Sequence, residues 1–247
     1  MDYQVSVVGG GISGALTALY LGKSRVKTCL IDRGKPSQKL SDPCKGRTTS
    51  LNLSSIASLR DVGIWEDIKK NAQEFDEIYV WDAEGSSSVQ FNAEEISRSY
   101  LGVIVHNNII LESIYSKLEQ LSEVTLIEEE SLKEITQDQN KIEFTSDSGL
   151  KISSELLIGA DGSLSKVRDF SRIPIRTWSY EQLAIVSSVT TEVPIDKTAF
   201  QIFTDTGPIA LLPLVVGENT ASLILSLIHI SEPTRRYAIS YAVFCLK

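Results

Sequence analysis

Hydrophobic positions along this chain change period, and the order of the changes predicts the first elements of an α/β fold. Residues 5–8 form an apolar run rich in β-branched side chains, which favours a strand. Glycines follow, and the residues up to Leu21 then repeat apolar positions with a helical period. A second apolar run, residues 26–31, ends at Asp32. Strand, tight turn, helix and strand in this order predict a βαβ unit with a parallel sheet.

The glycines of the first turn, Gly9, Gly11 and Gly14, have the spacing G-x-G-x-x-G. The first such glycine permits the sharp turn, the second lets the backbone approach a pyrophosphate, and the third lets the helix pack closely on the strand. Asp32 ends the second strand, where a carboxylate accepts hydrogen bonds from an adenosine ribose. A helix cap or a solvated loop is the alternative for Asp32. The segment is therefore predicted to bind a dinucleotide.

The rest of the chain predicts elements of both kinds. Residues 34–46 are polar and predict a loop, and Arg47 leads into a helical pattern that begins at Leu51 and has Gly63 as its C-cap. The other predicted elements are a hairpin (78–91), a strand (101–105), an amphipathic helix (107–121), a small antiparallel meander (124–127, 132–136, 142–144, 150–152), later strands (184–191, 198–203, 221–224) and an apolar segment bounded by prolines (207–214).

A second glycine-bearing turn follows a buried strand predicted over residues 156–158. Residues 159–162 read G-A-D-G, in which Asp161 could accept a hydrogen bond from a ribose or ribityl hydroxyl and Gly162 allows close approach. A β-turn with a capping aspartate is the alternative. Two glycine-bearing turns that both suit one dinucleotide favour the first interpretation. Arg47 could likewise reach a flavin or a phosphate by a charge-assisted hydrogen bond, with a solvated surface arginine as the alternative.

Composition narrows the class of protein. The chain has 247 residues, 42% of them hydrophobic and 23% charged, which allows one large domain or two modest ones. A net charge of −8 argues against a nucleic-acid partner. Cys29, Cys44 and Cys245 lack the spacing of a metal or redox motif, and His106 and His229 are too few for a histidine-built metal site. No apolar run of transmembrane length and no signal peptide are found, so a cytoplasmic location is expected.

The last stretch of the chain, residues 225–247, resembles a translated sequencing-library adapter. Residues 225–235 match the translation of the transposon-end and adapter DNA, and residues 236–238 correspond to the variable index. Residues 239–246 match the translation of the constant adapter DNA that follows, in the same reading frame. We therefore expect a non-native tail and a native chain that continues beyond Ile224. A genuine C-terminal strand and helix is the alternative.

Over residues 1–224 the chain resembles the class A flavin-dependent aromatic monooxygenases, the p-hydroxybenzoate-hydroxylase-like group, and within it the ubiquinone-biosynthesis hydroxylases. The motifs that carry the resemblance are the glycine fingerprint with Asp32-Arg33, Arg47 before its helix, the helix opening at Asn107, Asp161-Gly162, and G-P-I-A-L-L-P-L over 207–214. The family's later G-D motif is missing.

The resemblance implies an α/β fold with a Rossmann-like FAD-binding domain of the GR2 type. That domain is expected over residues 1–75 and 101–170, with an inserted β-sheet substrate domain over residues 76–100 and 171–224, truncated at the C-terminus. The implied cofactor residues serve the FAD pyrophosphate, the adenosine ribose, or the flavin half together with NAD(P)H. Gly9, Gly11 and Gly14 are implied for the pyrophosphate, and Asp32 and Arg33 for the adenosine ribose. Those implied for the flavin half and NAD(P)H are Arg47, Asn107, Asp161 and Gly162. No catalytic residue and no metal ligand are assigned.

The implied activity is that of an FAD-dependent monooxygenase, which uses NAD(P)H and O2 to hydroxylate an aromatic ring. A prenylated phenol of ubiquinone biosynthesis is the expected substrate. Because such a substrate partitions into lipid, association with the membrane surface or with a biosynthetic complex is expected. A related reductase or halogenase flavoprotein and an inactive truncated fragment are the alternatives. A plain NAD-dependent dehydrogenase would not explain the second glycine-bearing turn.

Overall fold

The computed structural model describes residues 1–34, 47–138, 141–179, 183–215 and 219–227. These residues form two compact units. The first holds residues 1–34, 60–65, 107–138 and 141–176, and the second holds residues 47–59, 66–106, 177–179, 183–215 and 219–227. The domain boundaries given above stay a prediction. Most of the predicted loop over residues 34–46, and the predicted tail beyond residue 227, lie outside the described residues.

In the described chain, strands and helices are mixed in the first part, and strands predominate in the later part. They are β1 (Asp2–Val8), α1 (Ile12–Lys23), β2 (Thr28–Asp32), β3 (Thr48–Asn52), α2 (Leu53–Asp61), α3 (Trp65–Lys69), β4 (Gln73–Phe75), β5 (Glu77–Asp82), β6 (Ser88–Asn92), a 3₁₀ turn (Ala93–Ile96), β7 (Gly102–His106), α4 (Asn107–Leu118), β8 (Val124–Glu128), β9 (Leu132–Gln137), β10 (Ile142–Ser146), β11 (Lys151–Gly159), α5 (Lys166–Phe170), β12 (Leu183–Thr190), β13 (Thr198–Thr204), β14 (Gly207–Pro213) and β15 (Thr220–Leu227).

The first unit is built on a six-stranded sheet in the order β8-β2-β1-β11-β10-β9. β8, β2, β1 and β11 run parallel, whereas β11, β10 and β9 pair antiparallel. Parallel neighbours need a crossover connection, and α1 supplies it between β1 and β2. The predicted βαβ unit and the predicted α/β fold with a Rossmann-like sheet are confirmed.

The predicted antiparallel meander is wrong in its first strand. Residues 124–127 belong to β8, which pairs in parallel with β2 at the other side of the sheet. α4 directly precedes β8 in the chain, and it packs beside α1. Gly22 of α1 permits close packing against β8 and the turn that precedes it, because a Cβ there would lie 2.5 Å from Val124 and 2.9 Å from Leu121. The runs 150–152 and 156–158 form one strand, β11, rather than two.

A buried apolar cluster supports the first unit's sheet. It combines side chains from β1, β2, β9, β10, β11 and α5, and its removal from water is the main stabilising contribution to such a unit. The cluster consists of Tyr3, Val8, Cys29, Ile31, Leu132, Phe144, Ile152 and Val167.

The second unit contains two sheets. A six-stranded sheet has the order β12-β15-β14-β13-β5-β6, and a three-stranded sheet has the order β3-β7-β4. The predicted hairpin over residues 78–91 is confirmed as β5 and β6. Neighbouring strands of both sheets pair antiparallel, except that β13 and β5 are parallel. The unit's core is formed by Phe75, Ile104, Ala199 and Leu214, with Ile78, Leu101 and Leu212 packed against them.

Three parts of the second unit differ from the sequence-based expectation. The helix expected from Leu51 begins at Leu53, and Thr48–Asn52 is the strand β3 because its threonines suit the ladder with β7. The proline-bounded segment is the strand β14. Pro208 is its second residue and Pro213 its last, so the N–H groups that the prolines lack are missing only near the ends of the strand. β15 continues to residue 227, three residues into the predicted tail, where leucine and serine alternate as in a strand.

Candidate functional site

A cleft lies at the carboxyl ends of the first unit's parallel strands. It has a volume of about 390 Å³ and is lined by the first glycine turn, the end of β2 and the second glycine turn. In open α/β sheets this edge is where ligands bind. The predicted site residues among its lining are Gly9, Gly11, Asp32, Arg33, Asp161 and Gly162.

The backbone of the first turn is folded so tightly that a Cβ on two of its glycines would overlap other backbone atoms. Gly9 has a φ of +108°, and a Cβ there would overlap the carbonyl group of Ala160. A Cβ on Gly14 would overlap the carbonyl oxygen of Gly9. These contacts explain the first and third glycines of the motif by backbone conformation and by helix-to-strand packing.

The second glycine of the motif has a different role. Gly11 is the N-cap of α1, its φ of −74° suits any residue, and no side chain caps the helix. No described atom lies within 4 Å of where its Cβ would be. The first N–H groups of α1 therefore meet a space that a ligand can enter, and the positive end of the helix dipole favours an anion there.

Asp32 ends β2, and its carboxylate is tied to the first glycine turn and to the chain that follows β2. Its Oδ2 accepts a hydrogen bond from the Gly10 N–H at 2.5 Å, and its Oδ1 accepts one from the Gly34 N–H at 2.8 Å. A carboxylate at the end of the second strand is the group that accepts ribose hydroxyls in this motif. Arg33 follows it in the cleft lining.

The second turn is tied to the first but uses its carboxylate differently. The Ala160 N–H donates to the Val8 carbonyl at 2.7 Å, which joins the ends of β11 and β1. The Asp161 carboxylate accepts hydrogen bonds from the Ser165 hydroxyl at 2.5 Å and from the Lys166 N–H at 2.7 Å. Ser165 is the N-cap of α5. The capping role that the sequence left open for Asp161 is therefore present in the structure, while its contact with FAD stays a prediction.

The remaining predicted residues lie elsewhere. Asn107 is the first residue of α4 in the first unit and is not among the described residues that line the cleft. Arg47 is an exposed residue of the second unit, directly before β3. Their contacts with the flavin half stay predictions.

Sequence reasoning missed one residue of the site, Tyr115. Its hydroxyl donates to the Gly10 carbonyl at 3.0 Å, although the two residues are 105 positions apart. Burial, followed by the charges of Asp32 and Glu128, raises the pKa of Tyr115. The helical pattern of α4 indicated an apolar face beside this tyrosine, but no spacing in the sequence relates it to the first turn.

Two further findings concern other kinds of site. Within the described ranges, no group of three or more histidine, cysteine, aspartate or glutamate side chains could hold a metal ion. None of the helices in this part of the chain has the length and apolar character needed to cross a lipid bilayer.

Comparison with known proteins decides the family. A family model described as an FAD binding domain matches residues 2–223. The chain belongs to this FAD-binding family. It is 29% identical over 223 residues to the 3-demethoxyubiquinol 3-hydroxylase of Escherichia coli, an alignment that covers 90% of the chain and 56% of the relative. It is 31% identical over 244 residues to the human ubiquinone biosynthesis monooxygenase COQ6, covering 92% of the chain and 51% of the relative.

The chain spans about half the length of the curated relatives that it matches. Among solved structures, it resembles PqsL of Pseudomonas aeruginosa, a probable FAD-dependent monooxygenase, with a TM-score of 0.78. The sequence identity there is 17%, and the match covers 92% of the chain and 61% of PqsL. This similarity shows that the two proteins share a fold.

The site fits the adenosine diphosphate half of FAD. A pyrophosphate needs free N–H groups and close backbone approach, which the uncapped start of α1 and the open space at Gly11 provide. A ribose needs a hydroxyl acceptor, which Asp32 provides beside the same turn. The FAD-binding assignment of the family therefore agrees with the geometry of the cleft.

Proposed function

We propose that this protein is an FAD-dependent monooxygenase that uses NAD(P)H and O2 to hydroxylate an aromatic ring. The observation that carries the proposal is the first glycine turn, where α1 begins at Gly11 without a side-chain cap in the cleft that Asp32 also lines. The reaction class is supported by the relatives, which are named as a hydroxylase and a monooxygenase of ubiquinone biosynthesis.

In this proposal the N–H groups at the start of α1 bind the pyrophosphate, and Gly9 and Gly14 shape the turn that presents them. Asp32 accepts a ribose hydroxyl, with Arg33 beside it. Bound FAD would supply the redox chemistry, taking hydride from NAD(P)H and activating O2. The protein's part is to orient the cofactor and the ring and to keep water from the reacting atoms.

The predicted flavin contacts complete this proposal. Arg47 and Asn107 are proposed to contact the flavin half of FAD. Gly162 is proposed to allow the cofactor to approach the second turn, and Asp161 to hold that turn in shape for FAD and NAD(P)H. The capping hydrogen bonds of Asp161 support this indirect role.

We propose a prenylated phenol as the substrate, bound on the large sheet of the second unit. Three half-buried rings on one face of β5 and β13 support an aromatic ligand. The ring centroids of Tyr79 and Trp81 are 5.4 Å apart, and those of Trp81 and Phe200 are 6.3 Å apart. The register puts Leu211 of β14 beside Phe200, which extends the apolar surface. A cytoplasmic location, with association at a membrane surface or in a biosynthetic complex, belongs to the same proposal.

The experiment is to load the purified chain with FAD and to follow NAD(P)H oxidation and O2 uptake with and without a prenylphenol. Mass spectrometry of the product decides the reaction class. One added oxygen atom supports the proposal, whereas added hydrogen indicates a reductase and an added halogen indicates a halogenase. An Asp32→Ala variant serves as the control, because it should lose FAD and substrate-dependent turnover together.

A second candidate is that the chain by itself binds FAD without turning over. It is favoured by the fact that the chain spans about half the length of its relatives. Retained FAD with no substrate-dependent NAD(P)H oxidation would support this candidate and contradict the first as a property of this chain.

A further inference from the structure

Gly10, the residue between the first two motif glycines, is held from both sides. Its N–H donates to the Asp32 carboxylate at 2.5 Å, and its carbonyl accepts from the Tyr115 hydroxyl at 3.0 Å. Asp32 ends β2 and Tyr115 lies on α4, so two elements distant in sequence meet at this peptide. We call Asp32, Gly10 and Tyr115 the Gly10 clamp.

The clamp explains why glycine stands at a position that the motif leaves variable. Gly10 is not among the glycines with positive φ, so its backbone conformation does not require glycine. A Cβ there would instead overlap the Tyr115 hydroxyl and lie 3.0 Å from the Cβ and Oδ2 of Asp32. Tyr115 and Asp32 together therefore exclude a side chain at Gly10, and the Tyr115 hydroxyl would make the closest contact with it.

The tyrosine is suited to act as a permanent donor. It is 4% exposed, and burial with the charges of Asp32 and Glu128 raises its pKa, so the hydroxyl keeps its proton. A buried hydrogen bond to a single carbonyl also fixes the orientation of that peptide group, because leaving the carbonyl without its donor is unfavourable.

We propose that Tyr115 is a positioning residue for FAD, which acts through Gly10 rather than by touching the cofactor. With both peptide groups of Gly10 fixed, the next N–H groups along the chain, at Gly11 and in the first turn of α1, are aimed at the pyrophosphate. The same clamp holds the Asp32 carboxylate, the ribose acceptor, in register with those N–H groups. This inference rests on the FAD binding that the proposed function requires.

The test combines three variants with two readouts, the FAD dissociation constant and the melting temperature of the FAD-free protein. Tyr115→Phe keeps the ring and its packing and is expected to weaken FAD binding about fivefold, the loss of about one neutral hydrogen bond. Gly10→Ala introduces the overlap and is expected to weaken binding at least fiftyfold, on the order of a severe overpacking effect.

The double variant Gly10→Ala/Tyr115→Phe is the decisive one, because removing the hydroxyl removes its overlap with the new Cβ. It is expected to bind FAD more tightly than Gly10→Ala alone, although each single change weakens binding. Tyr3→Phe is the matched control. Tyr3 is a buried tyrosine of the same unit whose hydroxyl contacts the Met1 sulfur at 3.7 Å, so its variant should bind FAD as the wild type does.

The outcomes separate this inference from the proposed function. If the wild type binds FAD but Tyr115→Phe changes the affinity no more than Tyr3→Phe, the inference is overturned and the proposed function stands. A double variant no better than Gly10→Ala also overturns it. Equal losses of melting temperature and affinity in both tyrosine variants would assign Tyr115 a packing role only. Absence of FAD binding by a folded wild type would overturn the proposed function and this inference together.

Discussion

The first and second glycine turns occupy neighbouring positions in the same sheet, yet the helices that follow them begin differently. Each follows a parallel strand, β1 or β11, and each leads towards a helix. At the first turn, α1 begins at Gly11 with no side-chain cap. At the second, Ser165 and Asp161 fill the start of α5 with hydrogen bonds from within the chain.

The difference shows that the start of a helix can have its hydrogen-bond acceptors supplied by a ligand or by the chain's own side chains. A helix start exposes N–H groups that need acceptors. Where the chain provides a serine and an aspartate, the need is met internally and the turn is complete without a ligand. Where it provides only glycine, the acceptor has to come from outside, and a pyrophosphate meets that need. This contrast supports the proposal that the first turn binds the cofactor and that the second turn supports it.

The largest expected effect is a difference in the free energy of unfolding between glycine-to-alanine variants in the two turns. Gly9→Ala places a Cβ on the Ala160 carbonyl at a positive φ, and we expect it to lower the free energy of unfolding by about 3 kcal/mol. Gly162→Ala is the matched variant at the second turn, with a φ of +89° but no described atom within 4 Å of the new Cβ. We expect a loss of about 1 kcal/mol there. Urea unfolding measures both, and equal losses would contradict the difference in packing.

The next prediction gives the first turn the cap that the second turn has. Gly11→Asp should stabilise the FAD-free protein by about 0.5 kcal/mol, because the new carboxylate caps α1. It should weaken FAD binding at least about tenfold, or about 1.4 kcal/mol, because its charge opposes the pyrophosphate. Gly11→Asn is the control, with a similar cap and no charge, and should weaken binding less. Unchanged FAD affinity in Gly11→Asp would mean that the pyrophosphate binds elsewhere.

A smaller effect is expected from removing the cap of the second turn. Asp161→Asn and Ser165→Ala should each lower the free energy of unfolding by about 1 kcal/mol, since each loses hydrogen bonds at the start of α5. If Asp161 serves FAD only by holding its turn, the two variants will also weaken FAD binding by the same small factor. A much larger loss of affinity in Asp161→Asn alone would show a direct contact with the cofactor.

The last prediction concerns pH rather than the cofactor, and it involves the buried cluster under the first unit's sheet. Cys29 is fully buried in β2, and burial raises its pKa from 9.0 to about 11. The unfolded chain loses this proton near pH 9, whereas the folded chain keeps it until about pH 11. The folded state therefore binds more protons in that window, and the free energy of unfolding falls as pH rises through it.

Denaturant unfolding at about pH 8 and about pH 10.5 measures this dependence. Cys29→Ala should show a smaller fall between the two conditions than the wild type, whatever its stability at the lower pH. The same fall in both proteins would show that Cys29 is not the group responsible.

The parts of the fold that follow from local patterns were predictable. The βαβ unit was visible because apolar runs, glycines and helical spacing are contiguous between residues 5 and 32. The placement of β8 was not visible, because its partner β2 lies far earlier in the chain and no local pattern relates the two strands. β3 was missed for a related reason, since its partner β7 lies about fifty residues later and the helical spacing begins within it.

The candidate site divides in the same way. Gly9, Gly14 and Asp32 follow from the motif, because their tasks are properties of one turn and one strand end. Tyr115 could not be found, since its role depends on a hydrogen bond across 105 residues. For Asp161 the sequence offered both a ligand and a cap, and only the positions of Ser165 and the Lys166 N–H distinguish the hydrogen bonds that the carboxylate makes.

The most direct test of the difference between the two turns is a calorimetric titration of the purified chain with adenosine diphosphate. This molecule is the half of FAD that the first turn and Asp32 are proposed to bind, and it needs no contact with the flavin ring. We predict that one adenosine diphosphate binds per chain, that Gly11→Asp weakens this binding at least about tenfold, and that Gly162→Ala keeps it. A folded chain that binds none at millimolar concentration, or that binds equally well with Gly11→Asp, would contradict the assignment of the first turn as the cofactor site.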